Sequence, residues 1–212
     1  MKRFNLKIAM LEPLLPETVY HIYTHANGNE NLFRCEENYR YFLAKYAERM
    51  YSIVDTYAYC LMPNHLHLMV QIRSEDDVLT CLQSKKPTLQ GFETLGGFSK
   101  AVSMQFSHFF NGYTQAFNKM YSRKGSLFIP NFKRKPITDD TYFTQLIAYI
   151  HNNPVHHGFC NDLLDWPYSS LHAYLVDKPT KLNKKYLEKW FGDRESLLDF
   201  HRQLQLNKEM FD

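Results

Sequence analysis

The 212-residue sequence predicts an α+β domain in which helices pack on an antiparallel sheet. Three observations carry that prediction. Short runs rich in β-branched and aromatic residues alternate with longer segments of helical periodicity. Two of those runs, Ile53 to Leu61 and His65 to Ile72, are joined only by Met62-Pro63-Asn64, a link short enough for antiparallel neighbours. One amphipathic segment separates this pair from an earlier run, which is the pattern of a split βαβ unit.

Taken in order, residues 1–16 are a mixed lead-in ending in Pro13 and Pro16. Val19 to Thr24 reads as a first strand, followed by a turn around Gly28. Glu36 to Met50 carries Tyr39, Phe42, Leu43, Tyr46 and Ala47 at helical spacing and is expected to be an amphipathic helix. The two strands around Met62-Pro63-Asn64 follow. Residues 83–97 read as a loop, and a long helix is expected from Phe98 to Tyr121, with a break at Asn111-Gly112. Ser126 to Phe128 and Phe132 to Ile137 read as short strands around Pro130. Thr138-Asp139-Asp140 offers an N-cap for a helix from Thr141 to Asn152 that Pro154 ends. A short helix over Ser169 to Leu175 and a charged, helical extension over 177–212 complete the chain, leaving 17–176 as the main domain. A ferredoxin-like sheet is the economical arrangement of these elements.

Composition narrows the function classes. Sixteen Phe and fifteen Tyr suit a packed globular domain. A net charge of +3 makes the whole molecule no polycation, so nucleic-acid binding has to come from local clusters. Cys35, Cys60, Cys81 and Cys160 show no Cys-x-x-Cys spacing and read as reduced thiols. With neither a signal peptide nor a membrane-length apolar run recognisable, a soluble cytoplasmic protein with no membrane partner is expected.

The most informative stretch is Asn64-His65-Leu66-His67-Leu68. On a strand, His65 and His67 point to one side and the leucines to the other, and two neutral imidazoles side by side can chelate a divalent cation. A second constellation is Tyr149-Ile150-His151-Asn152-Asn153-Pro154. Tyr149 and Asn153, four apart, share a helix face. A tyrosine can serve as a nucleophile and an amide oxygen can join a metal shell. His151, His156 and His157 read as partly exposed residues at a helix end.

These segments, together with Tyr113-Thr114-Gln115-Ala116-Phe117-Asn118, Gly125-Ser126-Leu127-Phe128 and Trp166-Pro167-Tyr168-Ser169-Ser170, resemble the single-tyrosine HUH transposases, closest to the REP-associated tyrosine transposases. The resemblance runs from about residue 17 to residue 175. It implies a ferredoxin-like fold, with two histidines on a central strand facing a tyrosine on a helix. It also implies metal-dependent cleavage and rejoining of single-stranded DNA beside hairpin-forming inverted repeats, through a covalent 5′-phosphotyrosine. By that resemblance Tyr149 is the nucleophile, and His65, His67 and the candidate Asn153 hold Mg²⁺ or Mn²⁺. Family members resemble both monomers and dimers that exchange tyrosine helices, which leaves a homodimer open. The chain departs from the family in two places. Phe128-Ile129-Pro130-Asn131-Phe132-Lys133 stands where Trp-Gln-Gly-Arg-Phe-Lys is common, and His156-His157-Gly158 where Arg-Ala-Gly is frequent.

Lys119, Arg123 and Lys124, interleaved with Tyr113, Phe117 and Tyr121, and then Lys133, Arg134 and Lys135, are the candidate DNA contacts. Cations serve phosphates and rings serve unstacked bases. Two rival readings are a DNA-hairpin-binding module that keeps the fold without the chemistry, and a zinc protein using Cys60, His65 and His67.

Overall fold

The computed structural model describes residues 11–88 and 91–205, so residues 89–90 of the expected loop, 1–10 of the lead-in and 206–212 of the extension lie outside the described residues. Four strands, β1 (Val19–His25), β2 (Val54–Leu61), β3 (His65–Ile72) and β4 (Lys133–Ile137), form one sheet in the order β2-β3-β1-β4. Every neighbouring pair is antiparallel. β1 and β2 therefore run parallel with β3 between them, the split βαβ arrangement expected. The helices are α1 (Glu36–Met50), α2 (Glu75–Lys85), α3 (Leu95–Met120), α4 (Asp140–His156), α5 (Leu171–Tyr174), α6 (Lys185–Phe191) and α7 (Arg194–Gln205), with a 3-10 turn at Leu163–Asp165. Among the described residues no helix is long and apolar enough to cross a membrane.

The sheet is covered on both faces, which is why β3 is buried at nearly every position. Tyr20, Ile22, Leu66, Leu68 and Val70 join a core with the phenylalanines of α3 and with Phe42 of α1. Ala58, Cys60 and Met69, on the opposite face, join a second core with Leu146, Ile147 and Ile150 of α4. The β2–β3 link is clamped from outside: Pro63 O accepts from the Leu32 and Phe33 N–H groups, and Asn64 O accepts from Ala26 N–H.

Several elements differ from expectation. Residues 83–85 belong to α2, whose start is signalled by Ser74 accepting from Asp77 N–H and by three acidic residues in the first turn. α3 begins at Leu95, because Thr94 caps it by accepting from Gly97 N–H at 3.1 Å. It also passes unbroken through Asn111-Gly112. Gly112 is small because Arg49 lies against it, where an added Cβ would come 3.3 Å from the guanidinium. Ser126 to Phe128 forms no strand, only a single bridge between Phe128 and Ala26. Pro154 does not end α4, which continues to His156. The ring removes the donor that would reach Ile150 O, yet the helix closes past it, with His157 N–H reaching Asn153 O at 3.0 Å.

The extension packs back onto α4. Leu187 of α6 and Leu197 of α7 share the core of Leu146 and Ile150. Contrary to expectation His151 is fully buried, between Ser170 and His201. The hydrogen-bond chain has a single direction. His201 Nδ1–H donates to Leu197 O, so its Nε2 accepts from His151 Nδ1–H, and His151 Nε2 accepts from the Ser170 hydroxyl. Asn152 Nδ2 donates to His201 O at 2.8 Å. Burial pushes the His201 pKa down to about 4, so the folded chain keeps this ring neutral.

The unfolded chain takes up that proton near pH 6.5, so stability is expected to fall as the pH drops from about 6.5 towards 4. Replacing His201 with Ala orphans the His151 donor, which costs about 1–3 kcal/mol at neutral pH. It also flattens the acid limb by about one proton, and urea midpoints measured across that pH range check both effects.

Candidate active site

The β1–β3 register builds the site floor. His25 pairs with His65, Tyr23 with His67 and His21 with Met69, so alternate β1 residues stand on the same face as the two β3 histidines. His25 stacks on His65 with ring centroids 4.7 Å apart, and His21 on His67 at 5.0 Å. His21 Nε2 lies 2.8 Å from His67 Nδ1, a hydrogen bond that uses one nitrogen of His67 and leaves its Nε2. His65 Nδ1–H donates to the amide oxygen of the preceding Asn64 at 2.7 Å. Burial lowers all three rings, to about 3 for His21, about 4 for His65, and well below the ordinary histidine value for His67. They are therefore neutral near pH 7 and retain lone pairs.

Across from this floor, α4 supplies Tyr149 and Asn153. The N-terminus of α4 is set by Asp139, which accepts from Tyr142 N–H, and its apolar residues seat it on β2 and β3. Tyr149 is half-buried, its ring perpendicular to that of His67 with centroids 5.7 Å apart. Asn153 is fully buried one turn later, and its Oδ1 lies 3.3 Å from His65 Nε2. The structure thus brings Tyr149, Asn153, His65 and His67 of one chain together.

The donor set suits a cation. A neutral His65 has one proton, and with Asn64 taking it at Nδ1 the Nε2 lone pair is turned towards the Asn153 amide. Their 3.3 Å separation is near the ~3 Å between adjacent ligands of an octahedral Mg²⁺ with bonds of about 2.1 Å. Asn153 Nδ2 is buried with no partner among the described residues, so nothing but packing orients that amide. Among the described residues no group of three or more His, Cys, Asp or Glu side chains converges to hold a metal, so a cation held by His65 and His67 would need an amide such as Asn153 as its third protein donor. Cys60 is fully buried and its thiol is pushed well up by desolvation, which disfavours the thiolate that zinc requires.

Sequence reasoning missed His21, Tyr23 and His25, and set aside as a helix-end residue His157, whose ring lies 4.6 Å from that of His65. The period-2 spacing of His21-Ile22-Tyr23-Thr24-His25 was a legible sign of one polar, aromatic strand face. Which strand that face would meet was not legible.

The basic candidates divide. Lys133 and Lys135 pair with Tyr23 and His21, so they flank the site on the edge strand, and Lys135 Nζ sits 4.7 Å over the Tyr142 ring. Arg134 points to the other face, donating to Ser103 Oγ at 2.6 Å. Arg123 ties down its own loop: it pairs with Glu30 at 2.8 Å and donates to Asn118 Oδ1 and Ser126 O. Lys119 and Lys124 are exposed, Lys119 at the C-terminal end of α3 on the α1 face of the sheet.

No protein-family model matches the chain. A Haemophilus influenzae protein described as a REP-associated tyrosine transposase is 29% identical over 139 residues, spanning 66% of this chain and 68% of that protein. A solved structure of a REP-associated tyrosine transposase bound to a REP hairpin superposes with a TM-score of 0.58 at 16% identity, over 84% of this chain and 89% of the other. The chain is thus similar to REP-associated tyrosine transposases both in sequence and in its antiparallel α+β fold.

Proposed function

We propose that this relative of the REP-associated tyrosine transposases is itself a transposase that binds DNA hairpins and cuts and rejoins single-stranded DNA through Tyr149. The observation that carries the reading is the position of Tyr149, edge-on to His67 at 5.7 Å while Asn153 meets His65 one helical turn away. A fold kept only for binding has no need of a phenol beside two buried neutral imidazoles.

The Tyr149 oxygen attacks the scissile phosphorus, and the phenol proton passes to solvent. The bond from phosphorus to the 3′-oxygen breaks, and that oxygen leaves as a 3′-hydroxyl after taking up a proton. A 5′-phosphotyrosine ester remains, which keeps the phosphodiester energy, so a second 3′-hydroxyl can reverse the step without ATP. His65, His67 and Asn153 would hold Mg²⁺ or Mn²⁺, which when bound supplies positive charge for the phosphate oxygens. His21 orients His67 by its hydrogen bond, and Asn64 sets the proton on His65. Lys133 and Lys135 run beside the site and meet the backbone phosphates.

Incubation with a single-stranded hairpin oligonucleotide and Mn²⁺ is expected to yield a protein–DNA adduct that survives denaturation. Tyr149→Phe abolishes it; an adduct that persists in this variant rules out the assigned nucleophile, and binding with no wild-type adduct leaves a hairpin-binding module. Mixing Tyr149→Phe with His67→Ala protein restores nothing, because both groups act within one chain. Calorimetric titration with Mn²⁺ should show His21→Ala binding about 10- to 100-fold more weakly, as loss of a ligand's hydrogen-bond partner does. Replacing Lys133 or Lys135 with Ala should reduce the salt slope of single-strand binding by about 0.7 each.

A further inference from the structure

β4 is the open edge of the sheet and its side chains alternate between two surfaces. Lys133 and Lys135 look towards Tyr149's side, while Arg134, opposite Ile22, looks towards α3. There, α3 and the 126–132 segment leave a cleft of about 460 Å³, a size in the ~300–1,000 Å³ range of small-ligand sites. One wall is aromatic: Phe110 lies 4.9 Å from Phe128 and 5.8 Å from Phe132, centroid to centroid. The Arg134 guanidinium lies over Phe132 at 4.6 Å, fixed by its bond to Ser103, with Nε buried and without a partner among the described residues. The other wall carries hydroxyls. Ser107 and Thr114 donate to carbonyls of α3, which leaves their oxygen lone pairs as acceptors. Thr24 Oγ1, which also lines the cleft, is buried without a partner among the described residues. No carboxylate is among the described lining residues.

A guanidinium lying over one ring of an aromatic wall, hydroxyl acceptors opposite, and no carboxylate among the described lining residues are the chemistry that takes an unstacked nucleobase with its phosphate. We infer that this cleft binds an unpaired base of the DNA strand on the side of β4 away from Tyr149. The inference rests on the DNA-hairpin reading above. A strand leaving the Lys133 and Lys135 surface crosses only the sheet edge to arrive there, which favours a base of that strand over a free nucleotide.

The test uses a hairpin taken from inverted repeats beside the gene, with 5-iododeoxyuridine at one unpaired flanking position at a time. Irradiation with Tyr149→Phe protein removes cleavage from the experiment. A cross-link mapping to residues 126–134 is expected at one position, and it should fall sharply in Ser107→Leu, where an exposed helix residue becomes bulky enough to fill the cleft. In Arg134→Gln the ratio of flanked-hairpin to blunt-hairpin affinity should drop about tenfold. Cross-links confined to the α4 side, no cross-link at all, or an unchanged ratio with wild-type unfolding midpoints in both variants would overturn the cleft. Equal protection by a deoxynucleoside monophosphate at the same concentration would assign it to free nucleotides instead. The wild-type adduct assay separates the two readings. An adduct without a cleft cross-link sinks the cleft alone, and a cleft cross-link without an adduct sinks the nuclease alone.

Discussion

The antiparallel register between β1 and β3 is the constraint on which the rest of the molecule depends. With His25 opposite His65 and Tyr23 opposite His67, one sheet face gathers imidazoles and phenols while the other gathers Tyr20, Ile22, Leu66 and Leu68. A slip of one residue would turn the β3 histidines into the phenylalanine core of α3 and expel the leucines. The register is held at one end by Asn64 O accepting from Ala26 N–H, and at the other by Thr18 O accepting from Ile72 N–H. The buried leucines that stabilise the fold and the histidines that define the site therefore rest on the same backbone pairing.

Burial on both faces has a chemical consequence. Because α4 closes over the polar face, desolvation keeps His21, His65 and His67 neutral near pH 7, so each ring retains one lone pair, and that of His65 faces Asn153. The helix carrying Tyr149 is braced from behind by His151, Asn152 and His201, whose hydrogen bonds reach α7. The extension past residue 176 thus packs behind the helix that carries Tyr149. Arg123 shows the same economy on the other side. A cation that looked like a phosphate contact is committed to Glu30 and to loop carbonyls, holding the 118–126 loop in shape.

Much of the fold was legible because periodicity and caps are local. The alternation of His65-Leu66-His67-Leu68 set the strand and its two faces, and Thr138-Asp139-Asp140 marked the start of α4, capped by Asp139. The misjudged elements were those where a local rule met a neighbour. Gly112 looked like a break and is a seat for Arg49; Pro154 looked like a stop, but the backbone closes past it from His157 N–H to Asn153 O. The start of α2 at Ser74 was legible from its capping residue and acidic turn and was passed over.

For the candidate site, the sequence by itself determined the chemical inventory: two imidazoles on one strand face, a phenol and an amide one helical turn apart, and basic residues alternating along β4. Strand and helix geometry fix those relations within a few residues, whatever surrounds them. Only the tertiary structure decided that the two constellations meet, that β1 adds His21 and His25, that Arg134 turns to the opposite face from Lys133 and Lys135, and that His151 is a buried brace. Those outcomes depend on which strand pairs with which and on which helix covers which face, and such long-range packing leaves no periodic trace along the chain.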